Sequence, residues 1–170
     1  MFNPGTSVNL PELRKTSLKI NSYLKYRMNL DQDRIESLIK SLKLVENGVY
    51  CAHLSKYASQ RMNQPYVFTE ETKPVFEELL EIIPILYEKK HTSVRTGLNS
   101  YMVKHQIEPF LKGGYVDSTT TILAFAYLGY GISNYHDADQ NVSIKAKIKH
   151  KTVLQDPWFK TYIRKLKSKF

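Results

Sequence analysis

A chain of 170 residues, 42% of them hydrophobic, with seven glycines and seven prolines, is large and apolar enough to bury a core, which excludes a disordered or collagen-like polymer. Its one cysteine, Cys51, excludes an intramolecular disulfide and a multi-cysteine zinc site, and fits a reducing compartment. The net charge of +9 is unevenly spread, with +4 on residues 1–30, −3 on residues 31–140 and +8 on residues 141–170, and that asymmetry points to a polyanionic partner.

Residues 1–9, MFNPGTSVN, are turn formers and read as an extended arm. No apolar run follows a basic start, so no secretory signal is read; the expected location is cytoplasmic, nuclear or inside a virion, not secreted. Between Leu10 and Met28 two periods compete. Leu18, Ile20, Leu24, Tyr26 and Met28 alternate, while Leu13, Ile20, Leu24 and Met28 make a helical stripe. The first half is read as helix and the second is left open. Either way Lys19, Lys25 and Arg27 project with Tyr23 as a basic, aromatic surface.

Asn29 or Asp31 caps a helix over Gln32–Leu44, with Ile35, Leu38, Ile39 and Leu42 buried and Asn47-Gly48 closing it. A second helical segment is expected over residues 49–62. The pair invites a helix-turn-helix reading, outweighed by an ordinary helical hairpin. After Asn63-Gln64-Pro65, Thr69 or Thr72 opens a helix reaching about Lys90, acidic early and closed by Lys89 and Lys90 as the macrodipole favours. Pro84 should kink or divide it. Thr92 or Ser93 begins another helix, with Val94, Leu98, Tyr101, Met102 and His105 on one face.

The most apolar run is Ser118–Ile132, which reads as a central helix wrapped by the others. It falls short of the roughly 18 apolar residues of a membrane span. From Val142 to Lys151 the pattern alternates. Val142, Ile144, Ala146 and Ile148 face one way, and Ser143, Lys145, Lys147, Lys149 and Lys151 face the other, the clearest strand signal in the chain. Asp156-Pro157 opens a final helix bearing Trp158, Lys160, Arg164, Lys165, Lys167 and Lys169.

Catalytic and cofactor chemistry finds no motif. Cys51 and His53 lack a third partner, and a lone cysteine is usually a small buried hydrophobe. Asp137, Asp139 and Asn141 mimic the first ligands of a calcium loop, but Val142 stands where that loop needs glycine and Ile148 where it needs glutamate. Gly129-Tyr130-Gly131 lacks the strand before it and the helix after it that a nucleotide loop needs. No cofactor and no metal are expected, and no enzyme class emerges.

The sequence therefore reads as a mainly α single domain, residues 1–170. It is a helical bundle around 118–132, with a small strand or hairpin near 142–151 and a basic strand–helix segment at 141–170. The expected function is non-catalytic, sequence-tolerant RNA or DNA binding as a structural subunit of a nucleoprotein assembly, viral nucleocapsid- or matrix-like or guide-RNA-complex-like. The contacts expected are Lys145, Lys147, Lys149, Lys151, Lys160, Arg164, Lys167 and Trp158, with Lys19, Tyr23, Lys25 and Arg27. The rival is a structural module docking its basic amphipathic helix, residues 157–170, onto an acidic protein partner.

Overall fold

The structure is a computed structural model that describes residues 30–51, 63–90, 97–136 and 140–149, the side chains of 134–136 excepted. Backbone contacts divide the chain into Met1–Leu30 and Asp31–Phe170, and every element below belongs to the second unit. In chain order these are α1 (Gln32–Leu42), β1 (Leu44–Val45), β2 (Gly48–Val49), α2 (Lys73–Leu86), β3 (Tyr87–Lys89) and β4 (Leu98–Asn99). Then come α3 (Ser100–Ile107), a 3-10 turn (Glu108–Phe110), α4 (Ser118–Tyr127), β5 (Ile132–His136), β6 (Val142–Ile144) and β7 (Ala146–Ile148).

The fold is mixed, not the mainly α helical bundle expected. Among the described residues four helices are interspersed with three small antiparallel sheets, ordered β1-β2, β3-β7 and β4-β6-β5. Three local events account for the difference. Lys43 adopts a left-handed conformation and ends α1, and the two-residue loop Glu46-Asn47 folds Leu44–Val49 into a hairpin where only a turn between two helices was expected. That hairpin rules out a helix pair joined at Asn47-Gly48; residues 52–62 lie outside the described residues. Helix α2 runs through Pro84 undivided but stops at Leu86, where Tyr87 is extended and β3 begins, so Lys89 and Lys90 are not helical. At Gly97 an added Cβ would strike Ser143 and the Ile144 carbonyl, so the missing side chain is what lets β4 lie against β6. A helix follows only from Ser100, capped by the Asn99 side chain.

The central helix is present but shorter, with Thr119–Tyr127 buried throughout. Its N-terminus is capped by Asp117, whose carboxylate accepts from Thr120 N at 2.7 Å. Its C-terminus is a Schellman turn. Tyr130 N–H reaches the Phe125 carbonyl at 2.9 Å and Gly129 N–H reaches that of Ala126 at 2.8 Å, with Gly129 at φ +79°. The helix packs on α1, α2 and α3 and on β2, β5 and β6. Edge-to-face ring pairs Phe76–Tyr127, Tyr87–Phe125 and Phe125–Tyr130, with centroids 5.6, 5.3 and 5.0 Å apart, tie it to its neighbours.

Candidate nucleic-acid interface

The alternation from Val142 onward survives folding, but as two strands with a break at Lys145. Val142, Ile144 and Ala146 are buried, while Lys147 is exposed. β7 pairs with β3 in the register Tyr87↔Ile148, Glu88↔Lys147 and Lys89↔Ala146. Lys90 N–H donates to the Lys145 carbonyl at 3.0 Å, which extends the ribbon by one rung. Five lysines (89, 90, 145, 147 and 149) thus lie on or directly beside one two-stranded ribbon, in which Glu88 is the sole acid.

Of the four lysines predicted from the alternation, the three that lie within the described residues have different surroundings. Lys147 Nζ lies 3.2 Å from Glu88 Oε1, both groups exposed. Such a surface pair is worth about 0–1 kcal/mol, little enough for a phosphate to displace. Lys149 is committed to the fold: its ammonium donates to the Pro84 carbonyl at 2.5 Å and its N–H to that of Leu86 at 3.0 Å. Those are carbonyls at the negative end of α2, where a cation is favoured. Lys145 is half-buried, its N–H on the Gly131 carbonyl at 2.8 Å and its stem so close along Gly131 that a side chain there would displace it.

Further cations gather at the same place. Lys89 Nζ sits 5.6 Å from the Tyr130 ring centroid, beside Gly129. Arg34 stacks over Tyr127 at 4.7 Å and donates from Nη2 to the Tyr127 carbonyl at 2.7 Å. Arg34, Lys89 and Lys145 therefore ring the Tyr127–Gly131 turn. The Gly-Tyr-Gly stretch is a helix stop lined by cations, not a nucleotide loop. Arg34, Lys89 and Lys90 escaped sequence reasoning: the two lysines read as helix-end residues, and only the pairing of β3 with β7 shows where they go. Of the remaining predicted contacts, Lys151, Trp158, Lys160, Arg164 and Lys167, and Lys19, Tyr23, Lys25 and Arg27, lie outside the described residues.

A second polar cluster lies on α3. Lys104 Nζ is 3.1 Å from Glu108 Oε1, and His105 Nδ1 is 2.7 Å from Glu108 Oε2. Burial pushes the Glu108 carboxyl up. Hydrogen bonds from His105 and Lys104, the Lys104 charge and the Val116 N–H outweigh that effect and hold it below the usual carboxylate range. Among the described residues no group of three or more His, Cys, Asp or Glu side chains is placed to hold a metal ion. Of the calcium-like loop, Asp137 and Asp139 lie outside the described residues and Asn141 is buried. Cys51 is buried too, its backbone bonded both ways to the Asn63 amide.

Comparison of the chain with protein-family models, with curated proteins and with solved structures finds no match in any of the three.

Proposed function

We propose that the protein binds nucleic acid non-catalytically and with little base preference, as a structural subunit of a nucleoprotein assembly. The observation that carries this reading is the register of β3 with β7, which brings Lys89 and Lys147, with Lys90 and Lys145 on the next rung, together against the one carboxylate of Glu88. Ammonium groups on flexible stems neutralise phosphates without demanding base geometry, and each neutralised phosphate releases counterions. The basic residues that follow in 151–170 would extend the same attraction.

The test is a salt titration of binding to single- and double-stranded oligonucleotides, wild type beside Lys89→Gln/Lys145→Gln/Lys147→Gln. Lys149 is left in place because it caps α2. Binding should weaken alike for unrelated sequences, and the log–log salt slope should flatten by about 0.7–0.9 for each phosphate that the variant no longer neutralises. Equal affinity and equal slope would remove the ribbon from the interface. Failure of the wild type to bind at low salt would discard nucleic acid as the partner and leave an acidic protein surface as the target of the same charge.

A further inference from the structure

Tyr101 and Tyr115, 52% and 67% exposed, are the two most exposed aromatic rings among the described residues. They lie on different elements, Tyr101 in the first turn of α3 and Tyr115 in the segment after the 3-10 turn. One side chain holds both. Lys104 Nζ is 5.6 Å from the Tyr101 centroid and 5.0 Å from that of Tyr115, while Lys104 itself is only 8% exposed. Its charge is met by Glu108 at 3.1 Å, so the lysine serves as an internal post for the two rings and is not a surface cation. His105 adds its edge to the Tyr101 ring at 4.3 Å and is itself fixed by Glu108. Beside Tyr115, Gly113 and Gly114 have open space where a side chain would stand, so nothing from those positions crowds the ring.

We infer that Tyr101 and Tyr115 form a stacking platform for unpaired nucleobases, so that the protein prefers single-stranded over duplex nucleic acid; this rests on the nucleic-acid reading above. Two observations favour this occupant. First, the helix that carries Tyr101 starts beside β6, the strand that leads into the lysine ribbon. Ser100 Oγ, one residue before Tyr101, accepts the Val142 N–H at 3.1 Å, and Lys145 follows three residues along that chain. At strand rise about 10 Å of chain separates Val142 from Lys145, within reach of one nucleic-acid strand that stacks its bases at the first site and lays its phosphates along the second. Second, the carboxylate that touches the post, Glu108, is already shared between Lys104 and His105. Ring faces accept any base but only an unstacked one, because a duplex presents only grooves and backbone along its length.

Binding of oligo-dT and of a duplex of equal length is measured across salt for wild type, Tyr101→Leu/Tyr115→Leu and Tyr101→Phe/Tyr115→Phe. The leucine pair should lose oligo-dT affinity by about 10-fold or more, since stacking is lost, with an unchanged salt slope because no phosphate-binding group is touched. Duplex binding should stay at the wild-type level, and the phenylalanine pair, which keeps both ring faces, should bind oligo-dT like wild type. Equal oligo-dT affinity in wild type and the leucine pair would overturn the platform while leaving the ribbon intact. Loss of both oligo-dT and duplex binding in the leucine pair would also overturn it, as a general structural effect. Absence of any binding by the wild type would sink the nucleic-acid reading and the platform with it.

Discussion

Thr120 has one hydroxyl proton and gives it to Asp117 Oδ2 at 2.5 Å, so Tyr66, 2.7 Å away, must donate its own proton to Thr120 Oγ1. The chain of bonds fixes the direction of every proton and places a phenol next to a carboxylate it cannot charge against. Burial first, then the Asp117 charge, pushes the Tyr66 hydroxyl up from 10.0 to about 12. A group whose value rises on folding lends stability below its unfolded value and loses it as pH climbs through the folded one. Tyr87, also raised, by its burial and by Tyr130 beside it, acts in the same sense. Unfolding free energy should therefore fall between pH 10 and about 12, and Tyr66→Phe should make that fall shallower, as read by urea denaturation at stepped pH. An identical slope in the variant would mean that Tyr66 ionises as freely in the folded chain as in the unfolded one. None of this is legible in the sequence, since Tyr66 and Thr120 are 54 positions apart and no local pattern joins them.

At the scale of elements, the end of α2 is the decisive joint. Pro84 has no N–H to offer Leu80, and its own carbonyl lies in the last turn, where helix carbonyls lack partners. Lys149 supplies one donor to Pro84 and another to Leu86 from the far side of the β3–β7 ribbon. Lys149→Met, which keeps the length of the stem, should destabilise by about 1 kcal/mol through the missing cation at the helix terminus. Lys147→Met should change stability by less than about 0.5 kcal/mol, because its pair with Glu88 is exposed. Equal midpoints for the two variants in urea would show that the α2 terminus does not depend on Lys149. Sequence reasoning reaches half of this. The alternation at 142–149 separates the buried Val142, Ile144 and Ala146 from the exposed Lys147, while Lys145, Ile148 and Lys149 are all half-buried. It cannot tell a lysine that caps a helix from one that faces solvent, because that distinction depends on where α2 stops. The stop lies two residues past the proline, where Tyr87 gains a strand partner; without that partner the helical pattern runs on toward Lys90.

For the molecule as a whole, the buried helix α4 is the most legible feature, because a run apolar on all sides has only one place to go. The sheets are the least legible. Outside the alternating stretch from Val142 to Ile148, strands of two or three residues carry too little periodicity to register, and the β3–β7 and β4–β6 pairs join partners far apart along the chain. Leu123, fully buried in α4, makes the corresponding prediction: Leu123→Ala should cost about 2–5 kcal/mol in a single cooperative transition. Leu128 is the cap of that helix and only half-buried, so Leu128→Ala should cost clearly less. Denaturation midpoints that rank the two the other way would misplace the core. The helix also collects partners from a great distance: Thr119 donates to the Val45 carbonyl 74 positions earlier, and Asp31 N–H to the Tyr127 hydroxyl 96 positions later. The hairpin at 44–49 has an equally distant cover, because Gln140 closes on Val49 across 91 positions. On the ribosome that interval is roughly 5–18 s at about 5–20 residues per second. Throughout it, the hairpin has been made but the glutamine that closes on Val49 has not. Each nascent copy thus passes through a window in which a neighbouring chain can capture the open outer edge of β2.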